Sequence, residues 1–265
     1  MSTATLRRAS RPRAFVGVTG PDAAAYLNRM VSNDVEALAP GEACQALLLT
    51  PKARIVAPMV VYRRADDDFL LLTEPELGDT LRTALLRARF AARCAIEAEQ
   101  HRSMLVLGAQ LPGAVPNDEL GIEACEVLDA DVDGEDVAAD ELERLRIHAR
   151  TPLFGRELDE RVLPAEAGLE ERAISFTKGC YPGQEPVARL HYRGHPNRRL
   201  RMIRIDDDAP VAYDSTLTLD GKDVGRITSA VGDGDDGTIA LAYVRTEVPD
   251  DARLVLADGR TALLA

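Results

Sequence analysis

The sequence predicts an α+β fold that ends in a small antiparallel β-barrel. Three observations predict it. Up to Gly108, apolar runs of strand length alternate with two stretches of helical periodicity, the pattern of a mixed α/β or α+β domain. From Arg201 onward the helical period vanishes, and short apolar runs are punctuated by Asp-Gly pairs, the mark of hairpin-linked strands. Hydrophobic residues make up 46% of the 265 positions, so a substantial core is available. With no Trp and 4% aromatics, that core is expected to be Leu, Val, Ala and Ile.

Taken in order, residues 1–13 are rich in Arg, Ser and Ala, and fraying is expected at the start. Residues 14–19 read as a strand. Thr19-Gly20-Pro21-Asp22 then opens a helix, with Thr19 as cap, Pro21 in the first turn and Asp22 facing the positive end of the dipole. Its apolar face is Ala23, Tyr26, Leu27 and Met30. Residues 44–50 and 54–63 read as strands around a Thr50-Pro51-Lys52-Ala53 turn, and 69–73 as a third after Asp66-Asp67-Asp68. A helix over 76–90 places Leu77, Leu81, Ala84, Leu85 and Ala88 at core spacing. Strands follow at 94–99 and 103–108. Residues 109–137 are rich in Gly, Pro and acids and read as surface, with a short apolar run at 125–128. A helix covers 140–150 and stops at Thr151-Pro152. The barrel strands are expected at 201–205, 215–219, 222–230, 238–244, 253–256 and 261–264. Their turns are Asp220-Gly221, Asp233-Gly234, Asp236-Gly237 and Asp258-Gly259. Two domains result, 1–197 and 198–265.

A net charge of −12 argues against a broad nucleic-acid or anionic-membrane footprint. No apolar run is long enough to span a bilayer. Arg7, Arg8, Arg11 and Arg13 precede no hydrophobic segment, so no secretory or twin-arginine signal is expected. Cys44, Cys94, Cys125 and Cys180 lie far apart without C-x-x-C spacing. That suits a reducing cytoplasm and offers no zinc or iron–sulfur framework.

The densest local chemistry is Lys178-Gly179-Cys180-Tyr181-Pro182-Gly183-Gln184-Glu185. Glycine and proline fix an irregular turn in which the backbone can approach a neighbour closely. A short helix over 184–192 follows, with Pro186 tolerated in its first turn. A thiol beside a lysine and ahead of a helix N-terminus is either a polarised, partly exposed group or a small residue packed into a tight turn.

This stretch resembles the K-G-C-Y-x-G-Q-E signature of the YgfZ family, folate-binding proteins related to the glycine cleavage T-protein, an aminomethyltransferase. Pro164-Ala165-Glu166-Ala167-Gly168-Leu169 resembles the family's P-x-E-A-G-L segment. Val187-Ala188-Arg189, Arg193-Gly194-His195 and Asn197-Arg198-Arg199-Leu200 continue the pattern downstream. Gly20-Pro21-Asp22-Ala23 and Ser32-Asn33-Asp34-Val35 resemble its N-terminal segments. The resemblance implies a T-protein-like folate-binding domain in two lobes plus the C-terminal barrel, a three-lobed ring around a central hole. Tetrahydrofolate or a derivative would occupy the hole, with Cys180 near its rim. It implies Cys180 as the working residue, assisted by Lys178 and the loop amides. Glu166 would bind the pterin, since a carboxylate accepts two parallel N–H bonds. Tyr181 and Gln184 join the expected folate contacts. Arg198 or Arg199 would meet the folate tail, one pointing inward and one outward if they begin a strand.

The implied role is assembly or repair of iron–sulfur clusters, including those of tRNA-modifying enzymes. The expected partners are iron–sulfur proteins or assembly factors, and the expected state is a monomer. Two other readings stay open: a folate-dependent aminomethyltransferase or demethylase, and a non-catalytic interaction module. Against the enzyme, the T-protein's acidic pair is replaced by Ala57-Pro58, and its folate-contacting Asn by Thr73 or Glu74. Arg189, Arg193, Arg198, Arg199, Arg201 and Arg204, interleaved with His191, Tyr192 and His195, form a local basic strip. It suits an anionic partner, a polyglutamyl tail, RNA, or simple charge balance. Cys180, His191 and His195 lack a fourth ligand, so no metal is expected there. The Asp233–Asp236 loop reads as a hairpin turn, not a calcium site.

Overall fold

The computed structural model describes residues 5–234 and 237–265. The fraying expected of residues 1–4, and the part of the expected Asp236-Gly237 turn at Asp235 and Asp236, lie outside the described residues. The first half of the chain runs through β1 (Arg7–Ser10), β2 (Ala14–Thr19), α1 (Ala23–Met30), β3 (Ala43–Leu49), β4 (Ile55–Ala65), β5 (Asp68–Thr73), a 3-10 turn (Pro75–Leu77), α2 (Gly78–Ala88), β6 (Ala95–Glu99), β7 (Ser103–Leu107), β8 (Val115–Asn117), β9 (Ala124–Leu128) and β10 (Glu135–Asp136). The second half holds α3 (Ala139–His148), α4 (Glu170–Ala173), α5 (Gln184–Arg193), β11 (Arg198–Ile205), β12 (Thr216–Leu219), β13 (Lys222–Gly232), β14 (Thr238–Arg245), β15 (Arg253–Leu256) and β16 (Thr261–Leu264). These elements form two compact units. The first takes residues up to 118, 122–137 and 169–189; the second takes 119–121, 138–168 and 190–265.

The first unit contains two five-stranded sheets, ordered β3-β4-β5-β2-β6 and β10-β1-β7-β9-β8. Phe15, Val60, Tyr62, Leu70 and Leu72 of the first sheet cluster with Val115 of the second. Strands β2, β3 and β5 carry continuous apolar runs and are buried on both faces. Pro58 is tolerated within β4 because pairing with β5 begins only at Val60, leaving one ladder at that position. Gly78 opens α2 where a Cβ would fall 2.6 Å from the Cβ of Ala14, so the helix needs glycine to approach β2.

Three expectations are corrected here. Residues 7–10 form β1, paired antiparallel with β7 from Arg7 opposite Leu107 to Ser10 opposite Met104. Their polar composition hides a strand that needs only one buried residue, Ala9. Thr19 does not cap α1: it ends β2, opposite Asp68 and Ala95. The carboxylate of Asp22 accepts bonds from the Arg93 backbone and guanidinium. The helix over 76–90 is a 3-10 turn followed by α2, which stops at Ala88. Within 109–137, β9 covers the apolar run at 125–128, while β8 and β10 are too short for a periodic signal.

The second unit is built on a closed barrel ordered β11-β14-β13-β12-β15-β16 and sealed by β11 against β16. Closure removes exposed strand edges. Its core includes Ile203, Leu217, Ile227, Ala242, Leu254 and Ala262. The turn residues behave as read, with Asp220, Gly221, Gly234 and Gly259 at positive φ. Helix α3 packs on β13 and β14.

Among the described residues, one carboxylate in each unit is almost wholly buried and bonded on both oxygens. In the first, Glu126 accepts Nη2 of Arg13 at 2.6 Å, the Ser103 hydroxyl at 2.7 Å and the Asn117 amide at 2.9 Å. The Arg13 and Glu126 side chains are 3% and 1% exposed. A charge so far from water is tolerated only when its lone pairs are filled. Glu126→Ala is therefore expected to destabilise the protein by about 3–5 kcal/mol in equilibrium urea unfolding, because it strands a buried guanidinium. A loss below about 1 kcal/mol would mean that Glu74, 4.0 Å from the same guanidinium, replaces it.

Candidate functional site

In the first unit the segment from Ser175 to Gly183 lies on a bed made by residues distant in sequence. The Ser175 N–H donates to the Ser32 carbonyl at 3.0 Å. The Ser32 hydroxyl donates to the Ala173 carbonyl and accepts the Leu47 N–H. The Asn33 amide donates to the carbonyls of Gln45 and Arg172. Lys178 Nζ then donates to the carbonyls of Val31 at 2.9 Å and Asn33 at 2.6 Å. On the far side, Gly183 has φ 85°, and a Cβ there would fall 2.6 Å from the Thr50 carbonyl oxygen and 3.1 Å from Ala53 Cα. Only glycine allows this approach. The loop is thus fixed at Lys178 and at Gly183, and Cys180 is exposed between the two anchors.

Tyr181 is buried, with its ring 5.5 Å from Lys178 Nζ. Burial pushes its phenol up to about 12. The Gln184 N–H donates to the Tyr181 carbonyl at 3.2 Å as α5 begins, and Val187 is the buried anchor of that helix. Burial pushes the Lys178 ammonium down to about 8, opposed by the carboxylates of Asp34 and Glu36. Lys178 was expected to favour the Cys180 thiolate; two of its three donors are committed to Val31 and Asn33. Burial pushes the Cys44 thiol up to about 12, so it stays protonated where Lys178 titrates. Cys94 and Cys125 are buried.

In the second unit Glu166 sits in a tight turn, its own N–H bonded to the Leu163 carbonyl at 3.0 Å. Its Oε2 accepts the Leu163 N–H at 3.0 Å. Arg198 presents a fork to it, Nε to Oε1 at 3.2 Å and Nη2 to Oε2 at 3.5 Å. About four acceptor positions belong to a carboxylate, and three are occupied. The Arg198 guanidinium also lies 4.6 Å over the ring of Tyr243. Tyr243 in turn donates its hydroxyl to the Glu157 carbonyl at 2.9 Å. The buried Glu157 carboxylate accepts Ser229 Oγ at 2.6 Å, Arg146 Nη1 at 3.2 Å and the Leu153 N–H at 3.0 Å. A cleft of about 320 Å³ next to this array is lined by Arg198, Arg226, Tyr243 and Arg245 among others.

The structure therefore brings Glu166 and Arg198 together, and puts Lys178, Cys180, Tyr181 and Gln184 on one loop. Arg199 is exposed and Arg198 half-buried, the alternation of a strand. Tyr243 escaped sequence reasoning. Its signal is an aromatic ring in a strand of Ala, Leu, Ile and Val. The basic strip divides: Arg201 pairs with Asp250 at 2.7 Å and Arg204 reaches Asp233 at 4.0 Å, while Arg189, Arg193 and Arg199 are exposed. Ala57 is fully buried, and the Pro58 carbonyl accepts the Thr73 hydroxyl at 2.7 Å. Among the described residues no group of three His, Cys, Asp or Glu side chains is placed to hold a metal ion.

Residues 14–109 match the GCVT N-terminal domain. An uncharacterized protein of Haemophilus influenzae is 27% identical over 87% of this chain and 85% of its own length. An aminomethyltransferase of Lysinibacillus sphaericus is 24% identical over 80% of this chain and 70% of its own. The tRNA-modifying protein YgfZ of Vibrio atlanticus is 33% identical over 31% of this chain and 28% of its own. The crystal structure of glycine cleavage system aminomethyltransferase T from Bartonella henselae matches with a TM-score of 0.84 over 99% of this chain and 85% of that one, at 20% identity. The fold is thus aminomethyltransferase-like, with mixed α/β content and a closed six-strand C-terminal barrel.

The Lys178 anchor carries a pH signature. Its folded value of about 8 lies below its ordinary 10.5, so between these values the unfolded chain binds the extra proton. Stability contributed by this group therefore rises with pH across that window. Thermal melts should show wild type gaining on Lys178→Met as pH is raised from about 8 to 10. A difference independent of pH would show that the ammonium titrates as it does in water.

Proposed function

We propose that the chain is a YgfZ-like relative of the glycine cleavage T-protein, that it binds tetrahydrofolate or a derivative, and that it acts through Cys180 in the assembly or repair of iron–sulfur clusters, those of tRNA-modifying enzymes included. The observation that carries this reading is the Cys180 loop. A single exposed thiol is presented between two fixed points, while the other cysteines are buried or half-buried. A thiol so displayed can ligate iron or exchange with a disulfide. Its partners on this reading are iron–sulfur proteins or assembly factors in the cytoplasm. No helix among the described residues is long and apolar enough to cross a membrane.

Support for the folate half comes from Glu166. It is a carboxylate 13% exposed, aligned by a turn and by Arg198. An aminopyrimidine edge offers two parallel N–H donors, and Arg198 must share or release an oxygen for both to bind. Arg198, Tyr181, Gln184 and Arg199 remain assigned to the folate by resemblance. Aminomethyl transfer is not part of the proposal, because Ala57 and Pro58 carry no group able to orient an amine and the Thr73 hydroxyl is used internally.

Titration calorimetry with 5-formyltetrahydrofolate should show binding, weakened by about 1.5–3 kcal/mol in Glu166→Ala, the range for hydrogen bonds to a charged group. Unchanged affinity in the variant would remove Glu166 from the site. The same protein given an aminomethyl-lipoyl carrier and tetrahydrofolate should form no methylene-folate above background, and turnover would favour the transferase. Alkylation at neutral pH with peptide mapping should label Cys180 first, since access limits Cys94 and Cys125 and burial disfavours the Cys44 thiolate. Cys180→Ala should keep the fold and the folate affinity but fail to restore iron–sulfur enzyme activity in cells lacking the protein. Full rescue would make the loop a partner surface with an inert thiol.

A further inference from the structure

The residue just past a helix cap often takes the left-handed conformation, where glycine is preferred. After α2 the chain places Phe90 there, at φ 44°, and 91% of the residue is exposed. Backbone strain and contact with water both count against a phenyl ring in that position. Its exposure leaves almost no packing within the fold to offset them. The ring lines a cleft of about 500 Å³ formed by α1 and the end of α2, whose other apolar lining includes Ala25, Met30, Ala88, Ala91 and Ala92.

The rim is basic. Arg29 and Arg89 line the cleft, Arg87 and Arg93 adjoin it in sequence, and all four are exposed. Among the described residues lining the cleft the one carboxylate is Asp22, which Arg93 already holds at 3.1 Å and 3.2 Å. Arg89 Nη1 donates to the Cys94 carbonyl at 3.2 Å, a neutral partner that leaves the positive charge uncancelled. In a chain of net charge −12 this is a local reversal of sign around a strained, exposed aromatic ring.

We propose that this face docks an acidic segment of a partner protein. An aliphatic side chain of the segment packs against Phe90 in the cleft, and its carboxylates meet Arg29 and Arg89. Charge complementarity gives the sign of the partner, and the small aliphatic lining gives the side chain. A nucleic acid fits less well: Ala25, Met30, Ala88, Ala91 and Ala92 offer an aliphatic surface that suits a peptide side chain. The inference is independent of Cys180 and of folate.

Fluorescence anisotropy on the full chain tests it with three labelled probes of equal length: alternating Glu and Leu, oligoglutamate, and oligouridylate. The Glu–Leu peptide should bind, and more weakly as salt is raised. Phe90→Gly should cut that affinity about tenfold, as loss of a central aromatic contact does. The same variant should raise Tm, because glycine relieves the left-handed strain. Arg89→Glu should reduce binding further. Absence of peptide binding, equal binding by oligoglutamate, tighter binding by oligouridylate, undiminished affinity in Phe90→Gly, or a lowered Tm in that variant would each overturn the proposal.

Discussion

A carboxylate buried away from water must have its lone pairs filled by the fold, and in the second unit that requirement fixes much else. Glu157 is 1% exposed. Its side chain is filled by Arg146 from α3, Ser229 from β13 and the Leu153 N–H, so one residue ties helix, connecting loop and barrel together. Its main-chain carbonyl takes the Tyr243 hydroxyl. Tyr243 then supports the Arg198 guanidinium on its ring face, and Arg198 aligns Glu166. The orientation of the candidate pterin-binding carboxylate is thus set by a chain of contacts that starts at a buried carboxylate bonded on both oxygens. An array of this kind is rigid because each member would be left costly and unpaired if it moved alone.

The Cys180 loop is held differently. Its anchors are mostly main-chain carbonyls and one close glycine contact, and they come from the two segments 31–34 and 50–53. Carbonyl acceptors fix a lysine's position without neutralising it, which leaves desolvation as the largest influence on Lys178. Tyr181 fills the space beneath, and the exposed positions are Gly179 and Cys180. The design separates presentation from reactivity: the flanking residues are satisfied within the fold, and the thiol alone faces outward.

Much of the frame was legible in the sequence because it rests on period and punctuation. Barrel strands β15 and β16 fall where alternation and Asp-Gly turns put them, and β2 does likewise. What was not legible depends on partners far away in the chain. Strand β1 is polar and is specified by pairing with β7; β8 and β10 are too short to repeat a pattern. Asp22 is taken from the helix cap by Arg93, which no local rule anticipates. In the candidate site, the residue types were visible at Lys178, Cys180, Glu166 and Arg198. Their couplings were not: Lys178 to Asn33, and Arg198 to both Glu166 and Tyr243, are long-range contacts without local sequence signal.

Strand β4 closes its hydrogen bonding without a charged group at Ala57-Pro58. Ala57 is wholly buried and Pro58 lies beside it. An ionised pair at such a place must be desolvated, and the fold tolerates that only where hydrogen bonds or a bound partner offset the cost. With Ala57-Pro58 that cost is absent. The Pro58 carbonyl is satisfied by Thr73 across the sheet, so the polar groups that remain are paired internally. The proline is itself compatible with β4 only because β5 joins the ladder two residues later. Strand order, register and hydrogen bonding therefore close without an acidic residue, and the fold alone assigns no transfer chemistry. The exposed thiol of Cys180 is held by the anchors on either side of it, Lys178 and Gly183.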